Sequence, residues 1–323
     1  MWSVWLACVR PEPVPAGAAP LDPEVIAALS MTRVRDDVRW IADESVGGRV
    51  PGTPGHDLVR DWLASEMALA GLEPVDGSFV VEVPLEPERA RLGLDAAGQV
   101  FEVPLVGVGA NLFGVRPGVD PALADEVVLL VAHYDHLGVD PSGDAYNGAF
   151  DDAAAVCALL ELARALDAAH ATFARTVAFL FTDAEEDGLD GAVAWVGSPT
   201  VPLPDVVAAL SVDPIGRPLL ADYGPLFVIG AERSERLQAA VDLAGARAGA
   251  VTTRLNRTPM IGYASDQDAF WDAPDPVPAL WISSGGMSFY HTVDDTPDTI
   301  DYGSVRAHLG VVAQLAAELA AGG

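Results

Sequence analysis

The sequence predicts an α/β fold: a mostly parallel, doubly wound mixed sheet with helices on both faces. Three observations lead there. The runs EVVLLVAHYD (126–135) and TVAFLFTDA (176–184) are continuously apolar, as strands buried on both faces must be. Between them lies AAAVCALLELARAL, with helical spacing, so strand and helix alternate and the strands must run parallel. Finally, each run ends abruptly in His, Asp or Glu, and so does VVAALSVD (206–213). Ligands of open α/β sheets bind beyond the carboxyl ends of the strands.

The remaining elements follow in order. Residues 1–20 form a tail, MWSVWLAC followed by the Pro/Ala-rich PEPVPAGAAP, and residues 21–323 form a single domain. MWSVWLAC is too short to span a bilayer. Ala7-Cys8 resembles the end of a lipoprotein signal, which gives an expectation of a membrane tether through Cys8 and a cell-envelope or secreted location. A truncated start or a frayed cytoplasmic tail is the alternative. DPEVIAALSMTRVRDDVRWIADES reads as a helix with Asp22 as N-cap and Pro23 in its first turn. The turn-rich GGRVPGTPG precedes a second helix that stops at Gly71. Short alternating strands then occupy 79–108 as an antiparallel edge. After the first apolar strand come a helix over 152–169, the strand at 176, a short helix near 189–197 and the strand at 206. LFVIG, a helix over 234–248, VTTRL, a short helix near 266–272, PALWISS and a final helix from about Ser304 complete the chain.

Composition excludes some functions. Eighteen basic residues, none of them lysine, stand against forty-seven acidic ones, a net charge of −29. Such a surface repels nucleic acid and anionic lipid. The cysteines, Cys8 and Cys157, suggest no disulfide framework, and Cys157 falls in a helical core run.

Taken singly, the chemical motifs have bland readings. In His133-Tyr134-Asp135 a carboxylate can orient an imidazole, yet the pair is short. Glu185-Glu186 reads as a solvated acidic turn, except that a buried strand runs straight into it. Asp151 or Asp152 is most simply the N-cap of the helix that follows, and an aspartate there could also bridge two cations. His136 reads as structural, near the site. His56, His170 and His308 read as surface residues. Trp40, Trp62, Trp195, Trp271 and Trp281 read as core, with Trp271 alternatively a pocket wall.

In combination, HYDHLG, GAFDD, DAEEDGLDGA, SVDPIG and YHTVDDTPDTID resemble the M28 peptidases, a family of zinc aminopeptidases and carboxypeptidases. The resemblance runs from about Arg49 to the C-terminus and implies a zinc-exopeptidase (phosphorylase/hydrolase-like) fold without a protease-associated insert. It implies two zinc ions: one on His133 and Asp213, the other on Glu186 and His291, with Asp151 bridging. Asp135 would be the partner of His133, Glu185 the general base, and Tyr290 a group that polarises the scissile carbonyl. A cis peptide is expected at Asp151–Asp152. The chain departs from the usual pattern at Asp152-Ala153-Ala154, Pro214 and Gln267, none of them an expected ligand.

The function implied is an aminopeptidase acting on peptides. A carboxypeptidase or dipeptidase on the same dizinc site stays open and would need an arginine such as Arg217, Arg254 or Arg257 to hold a substrate carboxylate. A glutaminyl-cyclase-like transferase and a non-catalytic binding protein are the other readings. Specificity is expected from loops around Tyr223, Met260, Tyr263 and Phe289; oligomeric state is not legible.

Overall fold

A computed structural model describes residues 21–85, 90–95, 99–104, 108–219, 224–256 and 265–322. The tail with Cys8, and Tyr223, Arg257, Met260 and Tyr263, lie outside them.

Helices α1 (Pro23–Ala28), α2 (Met31–Ile41) and α3 (Pro54–Leu69) open the chain. The single helix expected first is two helices, because extended Leu29 and Ser30 interrupt it. Asp22 caps α1 through Glu24 N, Ser30 caps α2 through Arg33 N, and Gly71, at φ 73°, follows the end of α3. Strands β1 (Glu73–Pro74), β2 (Val80–Val83), β3 (Ala90–Leu94), β4 (Val100–Pro104) and β5 (Gly109–Arg116) come next, then β6 (Val127–His133), β7 (Gly138–Val139) and β8 (Ala145–Tyr146). A π-turn, Ala149–Ala153, enters α4 (Ala154–Ala168). Then follow β9 (Thr176–Thr182), α5 (Asp190–Gly197), β10 (Val206–Val212), β11 (Leu226–Ile229), α6 (Glu235–Ala248), β12 (Thr252–Leu255), α7 (Gln267–Trp271), β13 (Ala279–Ser283) and α8 (Tyr302–Ala320).

One nine-stranded sheet organises the chain, in the order β1-β5-β9-β6-β10-β13-β11-β12, with β2 also on β5. Its centre, β9-β6-β10-β13, is parallel, whereas β5 and β11 join antiparallel. Every residue of β6 and β9 is buried, which is why both read as unbroken apolar runs. Alternate residues of β6 serve two cores. Val128, Leu130 and Ala132 pack under α4 and α8, while Val127, Leu129 and Val131 pack with Trp195 of α5 and Phe270 of α7. Trp271 belongs to this second core and donates to Ala279 O at 3.0 Å, so it is no pocket wall. Strand β5 was not foreseen, because two glycines and Asn111 break its apolar pattern.

The connection from β6 reaches β9 on one side through α4, and the chain then crosses to β10 on the other side through α5. Here the direction of winding reverses, and the loops after β6, β9 and β10 leave the sheet at the edge where ligands of open α/β sheets bind.

Candidate active site

His133 is the last residue of β6, Asp213 follows β10, and Glu185-Glu186 lie just past β9. The loop after β13 carries Phe289, Tyr290 and His291 to the same edge. Asp151 arrives on the π-turn before α4.

Asp151 sits at the centre. Its Oδ1 is 3.0 Å from His133 Nε2 and its Oδ2 is 3.0 Å from His291 Nε2. Asp213 Oδ1 lies 3.8 Å from the same nitrogen of His133, and Glu186 Oε2 lies 3.2 Å from that of His291. The five residues expected to bind metal thus form two triads sharing one aspartate. Asp135 Oδ1 lies 3.4 Å from His133 Nδ1, on the side of the ring away from Asp151. Tyr290 stacks on His291 with ring centroids 3.8 Å apart.

Neither Asp151 nor Asp152 caps α4. Both have non-helical backbone angles, and the peptide between them is cis. Their carboxylates turn into the site instead. Asp151 is held from behind by Asp295, whose carboxylate accepts the Phe150 N–H at 2.9 Å and the Asp151 N–H at 3.2 Å. Arg217 supports Asp295 at 2.8 Å. Buried Arg49 donates to the carbonyls of Tyr134 (2.7 Å), Asn147 (2.6 Å) and Gly148 (2.9 Å), tying the end of β6 to the turn that presents Asp151.

Ala184, Phe289 and His291 all occupy the left-handed region, at φ 53°, 66° and 55°. Strain of this kind in non-glycine residues concentrates at functional sites, and here it flanks Glu185 and the His291 loop.

Two residues are closer to the centre than the sequence suggested. Buried His136 places Nδ1 2.8 Å from Glu186 Oε1 and 3.9 Å from Asp151 Oδ2. Asp152 offers a donor atom within 4.8 Å of those of His133 and Asp213, and His136, Asp151 and Glu186 form a second such set. Two histidines expected at the surface are buried. His56 Nε2 lies 2.9 Å from Asp183 Oδ1, and His308 sits in the core face of α8. His170 is exposed.

Carboxylates outnumber cationic groups here. Burial alone would lower the pKa of His133, yet Glu185, Asp135, Asp151 and Asp213 hold it well above its ordinary value. His291 is likewise raised to about 10, against burial, by Asp151 and Glu186. Burial pushes the Glu185 carboxyl well up, helped by Asp213 and Glu186 and opposed by His133. Despite those short approaches, Asp151 Oδ2, Glu186 Oε1 and His291 Nε2 make no hydrogen bond of acceptable geometry, and neither do the two oxygens of Asp152. Unpaired buried polar atoms of this type need an explanation. Imidazole and carboxylate donors converging from two triads fit a pair of divalent transition-metal ions.

The family model for peptidase family M28 matches residues 111–316, a span that holds all of the imidazole and carboxylate donors of the two triads. The chain belongs to this family. It is a peptide hydrolase, and peptides are its substrates. No curated protein matches this M28 peptidase by sequence. Among solved structures it is similar to an aminopeptidase from Aneurinibacillus sp. strain AM-1, at 15% identity and a TM-score of 0.71, covering 94% of this chain and 97% of that one. BSAP, a zinc aminopeptidase from Bacillus subtilis, gives 15% and 0.68 over 89% and 94%. Porphyromonas gingivalis glutaminyl cyclase gives 20% and 0.65 over 89% and 98%. At these identities the likenesses establish the shared fold.

Proposed function

We propose that this M28 peptidase is a dizinc aminopeptidase. The observation that carries the reading is the position of Asp151, with one carboxylate oxygen toward each histidine. His133 and Asp213 would hold one zinc and Glu186 and His291 the other, with Asp151 between them. Zinc bound there would acidify a shared water and polarise the scissile carbonyl. Glu185 is the general base: it sits in the carboxylate cluster next to Glu186, placed to take a proton from the attacking water and pass it to the leaving amine. Asp135 orients His133 from behind. Tyr290 is held by its stack on His291, and burial with nearby Asp151 and Glu186 keeps its phenol protonated, so it can donate to a developing oxyanion.

Among the described residues, the arginines favour attack at the N-terminal end; Arg257 lies outside them. A carboxypeptidase needs a free cation for the substrate carboxylate. Arg217 is 7% exposed and committed to Asp295, Ser288 O and Thr299. Arg254 lies on β12, the last strand of the sheet, 3.5 Å from Asp242. Arg91 and Arg49 are fully engaged with carboxylates and carbonyls. A chain with a net charge of −29 suits a substrate ammonium instead.

Turnover of matched peptides tests this. A free α-amine should be required, so N-acetylation of a good substrate should abolish cleavage, whereas amidating its C-terminus should change little. Efficient cleavage of N-blocked peptides, lost on C-terminal amidation, would replace the aminopeptidase reading with a carboxypeptidase one.

A further inference from the structure

The β3–β4 hairpin lies outside the main sheet, yet it reaches the centre of the site. Its apolar side packs Phe101 against Tyr146 of β8, with ring centroids 5.5 Å apart, beside Leu137, Val103 and Val293. Phe101 also covers Gly93 across the hairpin, where a Cβ would fall 2.3 Å from the ring. That seat delivers one charged side chain inward. The Arg91 guanidinium is completely buried and donates to Asp135 Oδ2 at 2.6 Å, to both oxygens of Asp187 (Oδ1 at 3.1 Å) and to His136 O.

The partners of Arg91 are what make it informative. Asp135 faces His133 Nδ1 with one oxygen, and the same oxygen accepts the Glu185 N–H at 3.0 Å. Its other oxygen lies 3.4 Å from the Glu186 N–H. Asp187 is the next residue along that segment. The guanidinium therefore grips both ends of a three-residue segment, through Asp135 at one end and Asp187 at the other. A planar fork of five donors can bridge two carboxylates and a carbonyl at once, and an ammonium cannot do so in the same geometry.

We propose that Arg91 is a positioning residue for the catalytic centre, setting the orientation of Glu185 and Glu186 through Asp135 and Asp187. The inference rests on the roles given to those glutamates above. A lost grip would leave Asp135 buried and less well compensated and free the backbone that aims both side chains. Glu185 would then meet its proton in a poorer geometry, and Glu186 would hold metal less firmly. Substrate binding, which draws on other walls of the site, would be little affected.

The test uses the full chain loaded with zinc, with Arg91→Met and Arg91→Lys compared to wild type. Expected for Arg91→Met is a kcat at least tenfold lower, a KM within about threefold, and half-removal of zinc at a several-fold lower chelator concentration. Arg91→Lys, which keeps the charge but not the fork, should fall between the two and serves if the Met variant does not fold. A purely structural staple would lower the melting temperature alone. Wild-type kcat and wild-type chelator resistance in a folded Arg91 variant would overturn the proposal. A wild-type chain that holds no zinc would sink the dizinc reading instead, and the kcat comparison alone would then decide the role of Arg91.

Discussion

His133 and His291 approach the same aspartate from opposite sides, but one ends a buried central strand and the other sits on a loop. His133 is 1% exposed, and its partner Asp213 follows the neighbouring strand β10. The side chain of His291 is 34% exposed, and its backbone is in the left-handed region. Its partner Glu186 belongs to the segment gripped through Asp135 and Asp187. One half of the centre is thus fixed by the sheet, while the other depends on loops and on side chains that brace them. Two histidines facing one aspartate can therefore be held with unequal rigidity, so two metal ions bound there would be held unequally. Positioning cost falls where no strand sets the geometry.

The largest expected effect concerns a residue that belongs to neither half. Glu185→Gln should retain both metals and lose several orders of magnitude in kcat, because only the proton carrier is removed. Glu186→Gln should weaken the His291-side metal instead. Zinc loss in Glu185→Gln with zinc retention in Glu186→Gln would reverse the two roles. Next comes the asymmetry itself. In stepwise chelation one ion should leave at roughly tenfold lower chelator than the other, and His291→Ala should lose the weaker one only. If the two ions leave together, or if His133→Ala spares the tighter ion, the sheet-anchored half is not the stronger one.

A smaller effect separates the site from the rest of the core. Burial lowers the pKa of His308 to about 4, outweighing a hydrogen bond to the Gly224 backbone and the pull of Asp301. Between pH 6.5 and 4 the unfolded chain binds this proton and the folded chain does not, so stability falls as pH falls through that window and is unaffected above it. The full loss amounts to roughly 3 kcal/mol at about 1.4 kcal/mol per pKa unit. His308→Gln should flatten that part of the pH–stability curve measured by denaturant unfolding. An unchanged slope would mean that His308 does not titrate as its burial implies.

The same division governs what the sequence could reveal. Central strands β6, β9 and β10 were legible because burial on both faces leaves an unbroken apolar signature that stops at the polar site residues. The proposed ligands stood out only in combination, through the order of their motifs. Strand β5 was obscured by Gly109, Gly114 and Asn111. The bracing residues carried no local signal at all. Arg91 meets Asp135 across 44 positions, Arg217 meets Asp295 across 78, and Arg49 meets Tyr134 O across 85. The sequence offered Arg217 only as a possible anchor for a substrate carboxylate, and only the fold shows what these arginines grip. His56 was misread for the same reason, since its partner Asp183 lies 127 positions away. His136 stood next to a recognised motif, yet its rotation toward Glu186 depends on the turn after β6.

Whether Asp151 joins two metal positions is tested most sharply by counting metal. Elemental analysis of purified wild type should find close to two zinc ions per chain, with chelation abolishing hydrolysis and zinc restoring it. Asp151→Asn should lose metal from both positions, where His133→Ala and His291→Ala each lose one. A folded wild-type chain that hydrolyses peptides without any transition metal, or an Asp151→Asn variant that keeps both ions, would contradict the account.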